Sequence, residues 1–490
     1  MSGRAVVIGA GLGGLATAAL LAKDGWEVTV LEKNEGPGGR ARAWESGGFL
    51  FDMGPSWYLM PEAFNRYFGH FGKSSSDLLS LVRLNPQFRV YSGRGESYDV
   101  HDRLSLNTEL FDRLEPQGAA KTERFLNIAR QQYDLSVRYL LYRDYDGVRD
   151  FLQKEILKNG LRLGIFGSVH DLASREIHDE RLQQILEFAM VFIGGDPKKV
   201  PGFYALMSSI VLDQGVWYPL GGIITIVNAL QKLGQSYGVR YEFNSPARRI
   251  RTEGGRAVEV LTESGAHPAD VVLSNADYHH TETELLDEGQ RTYNERYWRR
   301  RVLSPSAFIL YIGLDRRLDG ILHHNLFFEK NWNAHFDSVF RRPAWPDKFS
   351  YYVSCPSRTD SGVAPPGMEN LFFLVPVAPG LNDTDGVRES FATHVLGHFE
   401  GLIGRSLGKG TVVRRIFSQR DFISDYNTYA GTAFSLAHTL LQTAAFRPRR
   451  RCRRVENLYF AGQYTHPGVG MPMVFIAAEL AAGRITHEQG

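Results

Sequence analysis

The sequence has few cysteines, no long apolar run and almost no net charge. Its 490 residues include only Cys355 and Cys452. Two cysteines are too few for a disulfide framework or a cysteine-rich metal site and are typical of a reducing compartment. No uninterrupted apolar stretch reaches the roughly 18 residues that a membrane-spanning helix requires. The net charge of +2 argues against a dedicated nucleic-acid-binding protein, and we expect no nucleic acid partner.

The N-terminal stretch VVIGAGLGGLATAALLAKDGWEVTVLEK follows a strand–helix–strand pattern. RAVVIG predicts a buried parallel strand, LATAALLAKDG a helix ending at Gly25, and WEVTVLE a second strand. Gly9, Gly11 and Gly14 allow a tight turn, the approach of a pyrophosphate and close helix–strand packing. The helix N-terminus attracts phosphate, and Glu32 can accept hydrogen bonds from a ribose. The pattern predicts a dinucleotide site but leaves NAD and FAD open, because both share this half. Since this fingerprint begins at once, we expect no cleaved leader and a cytoplasmic protein.

Two further segments favour FAD. Gly38, Gly39 and Arg40 predict a second flexible and cationic turn near the pyrophosphate, an extension that NAD dehydrogenases do not need. Near the C-terminus, NLYFAG predicts a buried strand, and GVGMPMVFIAAELAAG predicts a glycine turn that opens a helix. The N-terminus of that helix can face the N1–C2=O region of a flavin, which gathers negative charge on reduction.

Several segments together resemble the bacterial and fungal type of phytoene desaturase, within the carotenoid and retinoid oxidoreductase flavoproteins. They include GAGLGGLATAALLAKDGWEVTVLEKNEGPGGRA, GFLFDMGPS, GVWYPLGGIITIVNALQKLGQSYGVRYEFNSPARRI, SYYVSCPSRTDSGVAPPG and NLYFAGQYTHPGVGMP. The resemblance implies a FAD enzyme that introduces C=C bonds into a long linear polyisoprenoid such as phytoene. It also implies cofactor contacts at Gly9, Ala10, Gly11, Gly13, Gly14, Glu32, Lys33, Gly39, Arg40, Gly54, Pro55, Ser56, Ala247, Gly462, Gly470, Met471 and Pro472.

The predicted fold is α/β and resembles that of amine oxidases and phytoene desaturases. It combines a discontinuous Rossmann-like FAD-binding domain, a mixed-sheet substrate domain and a helical cap. The predicted FAD-binding domain comprises residues 1–75, 216–298 and 441–490. The predicted substrate domain comprises residues 76–110 and 299–440. Residues 111–215 form the predicted cap, which is also a candidate membrane contact.

Desaturation is expected to proceed by hydride transfer to flavin and loss of the adjacent proton from an allylic cation. The protein then needs to align the substrate and exclude water, so we assign no catalytic residue and expect no indispensable acid or base. The adjacent pairs His279–His280 and His323–His324 would point to opposite faces of a strand, so we expect no metal site. His466 is expected to shape the flavin-side turn.

A hydrocarbon substrate has nothing to hydrogen-bond, so its recognition must depend on an apolar tunnel that opens onto a membrane. Two segments are candidate membrane contacts: LQKEILKNGLRLGIFG at 152–167, and the run RPRRRCRR, with six arginines from Arg447. We therefore expect peripheral membrane association. Quinone and oxygen are the candidate electron acceptors.

Two alternatives stay open. One is a related flavoprotein that acts on a later, hydroxylated or C30 carotenoid as a 3,4-desaturase, isomerase or saturase. The other is a non-catalytic prenyl-lipid escort that shares the glycine fingerprint and an apolar pocket but no functional flavin. The intact C-terminal turn at Gly468, Gly470 and Pro472 argues against the escort, and THPGVGMP and RTDSGVAPPG argue against an amine oxidase.

Overall fold

The computed structural model describes residues 3–92, 96–145, 147, 167–330 and 332–490. The strands are β1 (Arg4–Ile8), β2 (Glu27–Leu31), β3 (Ala43–Ser46), β4 (Phe49–Asp52), β5 (Leu81–Arg83), β6 (Phe88–Tyr91), β7 (Ser97–Val100), β8 (Trp217–Pro219), β9 (Arg240–Glu242), β10 (Arg249–Glu253), β11 (Arg256–Leu261), β12 (Ala266–Pro268), β13 (Val271–Ser274), β14 (Ser306–Leu314), β15 (His324–Phe327), β16 (Tyr351–Ser354), β17 (Glu369–Val377), β18 (Thr411–Phe417) and β19 (Leu458–Phe460). The α-helices are α1 (Leu12–Lys23), α2 (Pro61–Gly69), α3 (Thr108–Leu114), α4 (Gly118–Ser136), α5 (Val169–Ala173), α6 (Glu180–Glu187), α7 (Ala189–Phe192), α8 (Leu206–Ser209), α9 (Ile224–Ser236), α10 (Tyr278–Glu284), α11 (Glu295–Trp298), α12 (Trp332–Phe336), α13 (Asp385–Ile403), α14 (Gln419–Tyr426) and α15 (Met471–Gln489).

A five-stranded parallel sheet joins three distant parts of the chain in the order β19–β13–β1–β2–β9. Its strands other than the edge strand β9 are mostly apolar and buried, because both faces of the sheet are covered. On one face Val7 and Leu273 pack against the helical core that includes Leu15 and Phe475. On the other face Val6 packs with residues of β10 and β11. The predicted discontinuous Rossmann-like fold is therefore confirmed.

A second, seven-stranded sheet has the order β18–β14–β17–β16–β15–β6–β7. Its strands are antiparallel except for β15 and β6, which are parallel, so the predicted mixed sheet is also confirmed. Along β14 alternate side chains face opposite sides. Phe308 packs on Phe391 of α13, whereas Tyr311 packs on Phe51 of the β3–β4 hairpin.

Helices α3 to α8 cover the face of the seven-stranded sheet that α13 leaves open. Phe125 and Leu126 of α4 and Leu186 of α6 share one hydrophobic core with Ile309 and Tyr352 of that sheet. None of the helices in the described ranges combines enough length and apolar character to span a bilayer. Residues 152–166 of the predicted membrane-contact segment lie outside the described residues, and the predicted domain boundaries stay a prediction.

Candidate functional site

The first glycine turn joins β1 to α1 at the carboxyl edge of the parallel sheet. Gly9 has φ of 95°, a conformation that favours glycine, and its N–H donates to Leu31 O at 2.8 Å. A Cβ on Gly14 would lie only 2.0 Å from Gly9 O, so the turn and helix touch closely. Gly11 precedes α1 and offers no side-chain cap. The first N–H groups of α1 are therefore available to an anion.

Glu32 lies directly after β2 and its carboxylate is held in place by the neighbouring backbone. Oε2 accepts a hydrogen bond from Ala10 N at 2.8 Å, and Oε1 accepts one from Asn34 N at 2.9 Å. The residue is almost fully buried. Since a carboxylate oxygen can accept two hydrogen bonds, Oε2 can still accept one from a ribose hydroxyl.

The C-terminal glycine turn lies beside the first one, and Asn275 separates them. A Cβ on Gly13 would lie 2.4 Å from Asn275 Oδ1, and a Cβ on Gly462 would lie 3.0 Å from the same atom. The Cβ of Gly13 would also meet Val474 of α15 at 3.1 Å. Residues from both ends of the chain thus converge here, as the sequence predicts, whereas the position of Asn275 between them was not predicted.

Arg40 presents a buried cation at this junction. Its Nε and Nη2 atoms are buried and have no hydrogen-bond partner among the described residues. Burial lowers the pKa of Arg40, against the opposing charge of Asp277. A Cβ on Gly39 would lie 3.3 Å from Gly11 Cα, and one on Gly54 would lie 2.6 Å from Arg40 O, so these segments are in close contact. Because unpaired buried charge is costly, the arrangement fits an anionic group such as a pyrophosphate.

The other predicted cofactor contacts differ in how they relate to this junction. Lys33 turns away, since its Nζ donates to Ser424 O at 2.5 Å and to Asn427 Oδ1 at 3.0 Å. Ala247 follows Ser245, whose N–H donates to Glu32 O at 2.8 Å. Pro55 and Ser56 follow β4, and Gly470, Met471 and Pro472 open α15.

A large cavity, called here the apolar cavity, lies between the cap and the seven-stranded sheet. Its empty space, including the part that is open to solvent, is about 810 Å³. Most of its wall is aromatic or aliphatic, and it is formed by Phe188, Val191, Gly195, Pro305, Ser306, Leu326, Phe328, Trp332, His335, Phe336, Val339, Phe340, Ser350, Tyr351, Tyr352, Leu374, Pro376 and Phe434. His335 is neutral near pH 7, because burial lowers its pKa to about 4. Its Nε2 donates to Pro376 O at 2.8 Å, and its Nδ1 accepts from Ser350 N at 3.2 Å.

A smaller cavity of about 280 Å³, called here the polar cavity, lies further along the same sheet face. It is lined by Phe51, Asp52, Ser56, Tyr218, Ser354, Pro356, Asn370 and Phe372. Ser354 of the polar cavity and Tyr352 of the apolar cavity both lie on β16. They are two positions apart, so they share one face of the strand at a spacing of about 7 Å. Burial raises the pKa of Asp52 to about 7, although Ile223 N donates to its Oδ1 at 2.9 Å. The Tyr218 hydroxyl makes no hydrogen bond of normal geometry within the described residues.

The arginine run does not form the continuous exposed basic surface that the sequence predicts. Arg447 and Arg450 are buried. Arg450 pairs with Asp144 at 2.9 Å and donates to His466 O at 2.8 Å, so it links the cap to the C-terminal turn. Arg447 donates to Gln463 O at 3.1 Å, and burial lowers its pKa to about 10. These two arginines support the turn from inside the protein.

His466 occupies the same turn and also contacts the cap. Its Nε2 lies 3.1 Å from Leu140 O, and its ring meets the ring of Tyr145 edge-on at 4.9 Å. Burial lowers the pKa of His466 to about 3, so the imidazole is neutral near pH 7. These contacts favour the predicted structural role in the turn.

Comparisons with known proteins place the chain in a family. Residues 12–486 match the family model described as flavin containing amine oxidoreductase. The chain belongs to that family. The carotenoid 3,4-desaturase of Haloarcula japonica is 40% identical over 484 residues, which cover 98% of each protein. The zeta-carotene-forming phytoene desaturase of Myxococcus xanthus is 36% identical over 99% of this chain and 95% of that protein. The resemblance to phytoene desaturases is therefore confirmed.

The overall fold is also found in solved structures of other proteins. An oxidoreductase from Methanosarcina mazei superimposes with a TM-score of 0.64 at 19% identity, over 97% of this chain and 99% of that one. Similarity at this level shows the fold alone. The family implies a flavin, and the glycine turns with the unpaired guanidinium of Arg40 fit such a cofactor.

The prediction that the two histidine pairs lie in strands and point to opposite faces was wrong. His279 and His280 lie on α10 and not on a strand, and His279 pairs with Glu295 at 2.8 Å. The rings of His323 and His324 lie 4.4 Å apart and do not point to opposite faces, because β15 begins only at His324. No group of three metal-ligating side chains occurs within the described residues.

Proposed function

We propose that this protein is a FAD-dependent desaturase that introduces C=C bonds into a long linear carotenoid such as phytoene. The observation that carries the proposal is the apolar cavity, whose wall is mostly aromatic and aliphatic. The neighbouring polar cavity is lined by Ser56, which belongs to the turn where we expect the cofactor. The carotenoid desaturases among the relatives support the same chemistry.

We infer FAD as the flavin because two glycine turns meet around Asn275, beside a guanidinium that has no hydrogen-bond partner among the described residues. The adenosine and pyrophosphate would lie along the first turn, with Glu32 at the ribose and Arg40 at the pyrophosphate. The N-terminus of α15 would face the flavin, since Gly470 leaves its first N–H groups without a side-chain cap. The remaining predicted cofactor contacts are part of this proposal. Lys33 would contact the cofactor only through its backbone, because its side chain binds Ser424 O.

Replacing Arg40 with glutamine is expected to weaken FAD binding about ten- to hundredfold. A charge-assisted hydrogen bond contributes about 1.5–3 kcal/mol, and no other ligand of Arg40 compensates for its loss. Calorimetric titration of the apoprotein with FAD measures the change. Arg66→Gln is the control, because Arg66 is half exposed and pairs with Glu479 at 3.0 Å. Equal FAD affinity in Arg40→Gln and wild type would remove Arg40 from the site.

FAD held at the two glycine turns would supply a hydride acceptor for a CH₂–CH₂ unit beside conjugated double bonds. The substrate would lose two hydrogens in total, one as this hydride and one as a proton released to solvent. The chain supplies a wall that aligns the polyene and excludes water. Both ring nitrogens of His335 are occupied by Pro376 and Ser350, so this buried histidine has no free nitrogen for acid–base chemistry. That no acid or base is indispensable stays a prediction.

We further infer that the protein works in the cytoplasm at a membrane surface, because a long polyene dissolves in the bilayer and not in water. A quinone shares that bilayer and is one candidate electron acceptor; oxygen is the other.

A second candidate function is the desaturation of a carotenoid with a hydroxyl group at one end. The polar cavity favours it, because Asp52 could accept a hydrogen bond from such a group and the Tyr218 hydroxyl could donate one to it. A relative with 40% identity is named a carotenoid 3,4-desaturase.

Expression in a bacterial host that accumulates phytoene, followed by pigment extraction, tests both candidates. Formation of neurosporene or lycopene would support the first. Unchanged phytoene, with conversion of an end-hydroxylated carotenoid supplied to the same cells, would support the second. The purified protein is expected to be yellow and to release FAD on denaturation. Colourless protein that binds prenyl lipid would contradict both and favour the escort.

A further inference from the structure

Four exposed apolar side chains, called here the apolar patch, belong to two chain segments that lie side by side. Val302, Leu440, Leu441 and Phe446 are 46%, 48%, 68% and 40% exposed. Leu440 and Leu441 lie in one 3-10 turn, and Phe446 ends the next. Folding alone does not explain this exposure, because water contact with large apolar groups in a contiguous cluster is unfavourable.

The side chain of Gln442 binds the backbone of Val302 to the loop 436–446. Its Oε1 accepts from Val302 N at 2.9 Å, and its Nε2 donates to Val302 O at 2.8 Å. Phe446 N donates to Thr443 O at 3.0 Å, which keeps the second turn compact. The four apolar side chains are therefore held together by the backbone and by a buried glutamine, although they come from two distant parts of the sequence.

The charge next to the apolar patch is positive. Arg299 and Arg300, which are exposed, lie three and two residues before Val302. Glu295, the acidic residue nearest to them along the chain, pairs with His279 at 2.8 Å. The loop 436–446 contains no acidic residue. Apolar side chains beside exposed arginines match the interface of an anionic bilayer, where acyl chains lie below negatively charged headgroups.

Two adjacent chain segments lead from the apolar patch to the wall of the apolar cavity. Leu303 forms a β-bridge with Leu436, and Ser304 N donates to Ser435 O at 2.9 Å, so the two segments run side by side. Pro305 and Phe434, at the inner end of these segments, line the apolar cavity. Pro305 is the third residue after Val302, a distance of about 10 Å in extended chain.

We propose that the apolar patch, with Arg299 and Arg300, is the surface by which this protein rests on an anionic membrane and receives its polyene. This inference rests on the proposed function for the nature of the substrate, but the binding of the protein to the membrane does not depend on it. It replaces the arginine run as the membrane contact, because Arg447 and Arg450 are buried.

Flotation with vesicles of phosphatidylcholine and phosphatidylglycerol tests the proposal. The triple variant Leu440→Ser/Leu441→Ser/Phe446→Ser is expected to bind at least tenfold more weakly than wild type. Arg299→Gln and Arg300→Gln are each expected to weaken binding about fivefold at low salt and to reduce its salt dependence. The control is Val412→Ser/Ile423→Ser, which removes side chains that are 54% and 49% exposed elsewhere. It is expected to bind like wild type.

Unchanged vesicle binding by the triple variant, with retained flavin and unfolding midpoint, would overturn the proposal. So would a change from dimer to monomer without loss of vesicle binding, which would assign the patch to contact between two copies. Conversion of detergent-dispersed carotenoid is expected to be unaffected by the triple variant. If neither wild type nor the variants convert carotenoid, but the triple variant still binds vesicles more weakly than wild type, the proposed function is wrong and the assignment of the membrane surface is supported.

Discussion

Replacing Gly14 with alanine is expected to give protein that retains no flavin. The new Cβ would lie 2.0 Å from Gly9 O, well inside van der Waals contact, and Gly9 O belongs to backbone that cannot rotate away. Relief requires α1 to separate from the turn after β1, which moves the N–H groups expected to bind pyrophosphate. Overpacking of this kind costs about 1–3 kcal/mol or more even without a ligand. The ratio of flavin to protein absorbance after purification measures the loss.

Gly483→Ala is the matched control for this substitution. Gly483 lies within α15, and a Cβ there would have no atom within 4 Å. Because alanine favours the helix over glycine, this variant is expected to keep its flavin and to gain about 0.5–1 kcal/mol of stability. Full flavin content in Gly14→Ala would show that the first glycine turn does not hold the cofactor.

The local parts of the site could be predicted from the sequence because neighbouring residues form them. Strand β1, the glycine turn, α1 and β2 follow each other within 31 residues, and each has its own pattern of apolar and glycine residues. Asn275 could not be found in this way, since its contacts with Gly11 and Gly462 cross 264 and 187 positions. The available signal is its place directly after β13, at the carboxyl edge where parallel sheets bind ligands.

The prediction for the arginine run was wrong because it considered the charge of the run and not its backbone hydrogen bonds with β19. Phe460 N donates to Arg450 O at 2.7 Å and Cys452 N donates to Leu458 O at 2.9 Å, so this part of the run lies alongside β19. Side chains in such an extended segment alternate between two faces. Arg450 and Cys452 accordingly point inward, whereas Arg453 is exposed. Charge density alone could not distinguish these positions.

The apolar cavity was predicted only as a requirement of the substrate. Its wall combines residues of the cap with residues of β14 to β17, and none of these segments has a local pattern that indicates a cavity. A buried strand residue and a cavity-lining strand residue look alike in sequence, because both are apolar and both alternate with period two. Which face meets the cap is settled only by tertiary packing.

Replacing Arg450 with glutamine is expected to destabilise the protein by about 3–5 kcal/mol. Removing one partner of a buried ion pair leaves the other charge poorly compensated. Here Asp144 would keep Arg484, at 3.1 Å, as its charged partner, and the carbonyls of His466 and Ala477 would lose their charged donor. The C-terminal turn would then lose its link to the cap, so flavin retention is expected to fall as well. Denaturant-induced unfolding, followed by tryptophan and flavin fluorescence, measures both effects.

Arg453→Gln distinguishes this effect from a general loss of charge in the run. Arg453 is exposed, and the substitution is expected to change stability by less than about 0.5 kcal/mol. In the double variant Arg450→Gln/Asp144→Asn, the Asp144 carboxylate that has lost Arg450 is also removed. This variant is expected to regain part of the lost stability. If Arg450→Gln instead unfolds at the same denaturant concentration as Arg453→Gln, the buried link between the cap and the C-terminal turn does not hold the site together.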